Sequence, residues 1–84
     1  MNRYLVIAMR RPQFDPAAAV AHQEFLQGLR NGGTLELTGP FTDKSGGAYV
    51  IRAESLEAAR IIVHQDPVHT SGGWDVTVHE WDAR

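Results

Sequence analysis

Apolar and polar positions change rhythm repeatedly along this chain, and each change marks an element. Tyr4 to Met9 is a continuous apolar run, the pattern of a central strand buried on both faces or against a partner. Arg10-Arg11-Pro12 leaves that strand, because proline cannot donate to a ladder. From Ala18 the spacing becomes three and four: Ala18, Ala21, Phe25, Leu26 and Leu29 form one helical stripe. Asp15 caps this helix and Pro16 fits its first position. It runs to about Arg30, where Asn31-Gly32-Gly33 stops it. His22 lies on or beside the stripe, while Gln23, Glu24, Gln27 and Arg30 face water.

Thr34 to Thr38 alternates with period two, which predicts that Leu35 and Leu37 face one side. Gly39-Pro40 is expected to break the pairing, and Asp43 to Gly47 is turn chemistry. Ala48 to Ala53 returns as a strand, so the two make a hairpin. Ser55 caps a second helix with Leu56, Ala59, Ile62 and Val63 on its buried face and Glu57, Arg60 and His64 opposite. Its last turns extend over Arg60 to Gln65 and close at Asp66-Pro67, since proline cannot continue a helix. Val68 to Gly73 reads as a polar, glycine-bearing loop. Trp74 to Trp81 alternates again, with Trp74, Val76 and Val78 on one face and Asp75, Thr77, His79 and Trp81 on the other.

Strand, helix, strand, strand, helix, strand with right-handed crossovers is the ferredoxin-like βαββαβ arrangement, an α+β fold with both helices on one face of the sheet. Residues 1–84 are one domain, too short to hold two cores. Both faces of the first strand are apolar, so the uncovered face calls for a partner. A second copy packed sheet to sheet would give a homodimeric α+β barrel.

Composition narrows the function classes. Hydrophobic residues at 43% and charged residues at 21% suit an ordinary globular protein. The net charge is -2, and Arg10-Arg11 is the single adjacent basic pair. No nucleic-acid partner is expected, because affinity for a phosphate backbone needs clustered cations. The absence of cysteine removes disulfides, thiolate metal sites and a cysteine nucleophile. The apolar run at Tyr4 is too short to span a bilayer, so the expectation is a cytoplasmic protein without membrane association.

Chemistry concentrates on histidines and carboxylates. His22 and Asp66 can form a dyad in which the carboxylate orients the imidazole and raises its basicity, giving a proton acceptor that needs no cofactor. The plainer alternative is that His22 fills the helix–sheet seam and Asp66 caps local amides. Roughly parallel helices put Asp66 at one end and His22 mid-helix, which leaves open whether they meet directly, through a water or through the partner subunit. His69 follows Asp66 by three residues and can join the site as a second titrating group. Arg10 and Arg11 ordinarily make a solvated corner, though near a pocket they can hold an anionic substrate; Gly39 and Pro40 permit close backbone approach, with ordinary turn duty the plainer reading. His64 and His79 fall on polar faces. No His-x3-His spacing supports a metal site.

These features occur together in a known order: His22 on its helix, Gly33-Thr34-Leu35, Thr38-Gly39-Pro40, Ser55-Leu56-Glu57-Ala58-Ala59 and a terminal Asp66-Pro67. In that order and spacing the chain resembles the YciI-like (YCII-related) proteins over essentially its whole length. The resemblance implies a dimeric α+β barrel similar in fold to muconolactone isomerases, and an active site built on a His-Asp pair that maps to His22 and Asp66. One relative is associated with dehydrochlorination of a chlorinated hydroxyquinol. The loop from Phe41 to Gly47 is short compared with many relatives. The expectation is a homodimeric enzyme using cofactor-independent acid–base chemistry of the lyase, isomerase or hydrolase kind on a small, cyclic or aromatic molecule. The competing expectation is a non-catalytic small-molecule-binding or protein-interaction module of the same dimeric fold.

Overall fold

The computed structural model describes all residues from Met1 to Arg84. Its elements are β1 (Asn2–Arg10), α1 (Pro16–Asn31), β2 (Leu35–Pro40), β3 (Gly46–Ala53), α2 (Leu56–Val63), α3 (Pro67–Thr70) and β4 (Trp74–Trp81). The strands form one antiparallel sheet in the order β2-β3-β1-β4. This is the ferredoxin-like α+β fold. The continuous apolar run belongs to β1 because β1 is central, paired with β3 on one side and β4 on the other. Tyr4, Val6 and Ala8 are buried under the helices, and Leu5 and Ile7 are half-buried on the opposite face.

Two apolar clusters hold the helices down. The larger joins Tyr4, Val6, Tyr49 and Ile51 of the sheet to Leu26 of α1 and to Ala59 and Val63 of α2. The smaller joins Ala8 and Trp74 to Ala18 and Val68. Capping follows the local chemistry. The Asp15 carboxylate accepts from the Ala17 amide at 2.9 Å, and the Ser55 hydroxyl accepts from the Ala58 amide at 3.0 Å. After α1 the chain reverses through Gly33, whose φ of 79° is easy only for glycine.

Three local expectations are corrected. First, α2 ends at Val63, and Asp66-Pro67 begins an element instead of closing one. The carboxylate of Asp66 accepts from the Val68 amide at 3.0 Å and Pro67 takes the first helical position, so the segment expected as loop starts with the one-turn helix α3. Second, Leu35 and Leu37 do not share a side. A bulge between them changes the register from Leu35 opposite Ile51 to Leu37 opposite Val50, so Leu35 is buried while Leu37 is 62% exposed. Glu36 occupies the bulge and pairs with Arg3 at 2.8 Å and Arg52 at 2.7 Å. Third, Gly39 and Pro40 stay in the ladder opposite Ala48 and Gly47. Proline is tolerated there because β2 is an edge strand.

Candidate active site

Asp66 lies at the corner between α2 and α3 with none of its surface exposed. A buried carboxylate is costly unless donors surround it. Here they come from three other parts of the chain. His22 Nδ1 on α1 lies 2.8 Å from Oδ1 and 2.9 Å from Oδ2. The Tyr49 hydroxyl on β3 donates to Oδ2 at 2.8 Å, and the Val68 amide donates to Oδ1. No buried side-chain nitrogen or oxygen in the molecule lacks a partner. Asp66 thereby ties Tyr49 of the larger apolar cluster to Val68 of the smaller one.

The donors define the protonation pattern. Burial first, then the charge of Asp66 and the hydrogen bond to it, push the Tyr49 phenol well above its ordinary value, so the phenol stays a donor. A carboxylate facing Nδ1 selects the tautomer with hydrogen on Nδ1, which places the lone pair of the neutral ring on Nε2. The His22 side chain keeps 16% of its surface exposed. His22 lines a cleft of about 280 Å3 between α1, the strands and the start of α3. Arg10, Gln23, Thr38 and Trp74 line the same cleft.

His22 and Asp66 therefore meet directly, without a bridging water or a partner subunit. Arg10, Gly39 and Pro40 reach the same cleft. His69 does not. It is exposed on α3, where its ring stacks on His64 with centroids 4.5 Å apart. Tyr49 escaped the reading of the sequence, although a tyrosine on the buried face of a strand must find a partner for its hydroxyl. No group of three or more His, Asp or Glu side chains is arranged to hold a metal ion. No helix is long and apolar enough to cross a membrane.

Residues 2–82 match the YCII-related domain. The chain belongs to the YCII-related family. Within reach of this family it is 44% identical over 81 residues to "Uncharacterized protein YjpA" of Bacillus subtilis (strain 168), covering 96% of this chain and 95% of that one. Among solved structures it is similar to 5-chloro-2-hydroxyhydroquinone dehydrochlorinase (TftG) from Burkholderia phenoliruptrix AC1100, in complex with 2,5-dihydroxybenzoquinone. The TM-score is 0.80 at 23% identity, over 98% of this chain and 95% of that chain. Muconolactone isomerase gives a TM-score of 0.76 at 22% identity, over 98% and 90% of the two chains. An antibiotic biosynthesis monooxygenase gives 0.62 at 15%, over 100% and 99%. At these identities the likeness to the solved structures establishes the shared fold of this YCII-related protein.

Proposed function

We propose that this YCII-related protein is a small enzyme that moves a proton on a small organic molecule, with His22 as the base and Asp66 as the residue that orients it. One observation carries the reading: the Nδ1 side of His22 is bound by a buried carboxylate at 2.8 Å while the ring borders a cleft. A substrate with an acidic C–H, such as one beside a carbonyl, loses that proton to Nε2. The imidazolium so formed is stabilised by the Asp66 charge across the Nδ1–H bond. Tyr49 and Val68 fix the carboxylate, so the ring holds its orientation through the cycle. Returning the proton to another atom of the substrate is an isomerisation, and expelling a leaving group from the carbanion is a lyase reaction. The names of two structural neighbours, a dehydrochlorinase and an isomerase, fit those two outcomes. A cyclic or aromatic substrate suits both.

The working unit in this proposal is a homodimer. The face of the sheet away from the helices carries half-buried Leu5 and Ile7, with Met9, Leu37 and Trp81 more exposed. Sheet-to-sheet packing of a second copy would cover them. In a screen of lactones and halogenated phenols, His22→Ala is expected to lower turnover by about 10²- to 10⁴-fold. Sedimentation of wild type and variant at micromolar concentration should show a species of twice the 9.3 kDa chain mass. Turnover unchanged by the substitution overturns the base assignment, and a 9.3 kDa species overturns the dimer.

A further inference from the structure

Arg3, Arg11, Arg52 and Arg84 each lie against a carboxylate, provided by Glu36, Asp75, Glu36 and Asp82 respectively. Arg10 is not paired in this way, and it lines the cleft. Its guanidinium carbon sits 4.7 Å from the centre of the Phe14 ring, and that ring stands edge-on to buried Trp74 with centroids 5.5 Å apart. The Arg10 amide donates to the Ser45 carbonyl at 2.9 Å, which anchors the main chain at the same point. The contact with the ring uses none of the guanidinium N–H groups, which make no hydrogen bond within the chain. Those donors form the planar fork that matches a carboxylate or a pair of oxygens on a ring.

The rest of the cleft reinforces this. No Asp or Glu lines it, and Asp66 is sealed behind His22 and Tyr49. Arg10 is therefore the one charged side chain that lines the cleft, in a chain whose net charge is -2. Size sets a second limit. A cavity of about 150 Å3 admits benzene, so a cleft of about 280 Å3 has room for one ring with a few substituents.

We infer that the ligand of this cleft is a compact organic anion of single-ring size, whose carboxylate or ionised ring oxygen is held by Arg10 while its body lies between Trp74 and His22. The inference rests on the proposed function for the location of the site and adds the class of substrate. Arg10 is a binding residue in this scheme. Its positive charge also offsets the repulsion that builds when an already anionic substrate gains electron density on proton loss.

Titration of isotope-labelled protein with benzoate, with 4-nitrophenolate at about pH 8, and with neutral, similarly shaped benzamide, followed by amide NMR shifts, tests the inference. At least one anion is expected to shift the amides around Arg10 and Thr38 and to bind about ten-fold or more tightly than benzamide. The stronger of the two anions tells a carboxylate ligand from a ring-oxygen ligand. Arg10→Gln should erase the preference with the remaining spectrum intact, and Arg10→Lys should restore part of it. Equal binding of anions and benzamide, a preference that survives Arg10→Gln, or no binding of either anion up to about 10 mM overturns the inference. His22→Ala separates it from the catalytic reading. An Arg10-dependent preference that persists in that variant supports the anion site even where no reaction is found, and its disappearance there would mean that His22, not Arg10, holds the anion.

Discussion

Asp15-Pro16 and Asp66-Pro67 open helices in the same way. In both, the aspartate has extended backbone angles, its side chain accepts from the amide two residues on, and proline takes the first turn. Asp15 is exposed and makes no other side-chain bond, whereas Asp66 is fully buried and also receives His22 and Tyr49. The same local device thus ends as a helix cap at one corner and as the centre of a polar cluster at the other. What converts one into the other is tertiary. α1 and β3 each deliver a donor to the second corner, and burial removes the water that would otherwise satisfy the carboxylate.

That contrast can be broken by substitution. Asp66→Ala should cost about 3–5 kcal/mol, because it strands buried donors that had a charged acceptor. In a domain this small that is a large share of the total, and urea denaturation should show a population unfolded before denaturant is added. Tyr49→Phe removes one donor and keeps the ring, so a loss of about 1–2 kcal/mol is expected. It also carries a pH signature. The folded phenol ionises above its ordinary value of 10.0, so between the unfolded and folded values the native state holds a proton that the unfolded state has lost. Stability from this source is complete below the unfolded value and falls as pH rises beyond it. Wild type should therefore lose stability more steeply than Tyr49→Phe above about pH 10, as measured by urea midpoints across that range. Asp15→Ala should cost least, about 1 kcal/mol. Equal losses for Asp15→Ala and Asp66→Ala would erase the distinction between the two corners.

Much of this was legible in the sequence because periodicity reports burial directly. The apolar run at Tyr4, the three-and-four stripe of α1 and the alternation of Trp74 to Trp81 all correspond to observed elements. Asp66-Pro67 was legible as a corner, but it reads equally well as a stop for the preceding helix or a start for the next. The amide of Val68 decides between them. The bulge at Glu36 was hidden because strict alternation of Leu35 and Leu37 is what an unbroken strand also shows. The partners of Glu36 in the bulge, Arg3 and Arg52, lie 33 and 16 residues away, so no local pattern announces them. The proximity of His22 to Asp66 depends on how α1 packs across the sheet, and no local pattern encodes a distance of 2.8 Å between residues 44 apart. Tyr49 was invisible as chemistry for the same reason.

The bulge has a bearing on how this sheet behaves in a crowded solution. β2 and β4 are its two outer strands, each with a row of main-chain groups available to a foreign chain. A segment trying to zip onto β2 meets a broken register at Glu36 and, at Pro40, a residue with no amide hydrogen to offer. β4 runs in regular register against β1 over its full length and has no such interruption. Resistance to fibrous growth is thus built into one rim of the sheet by backbone geometry, while the opposite rim carries the exposed side chains of Asp75, already paired with Arg11, and Glu80.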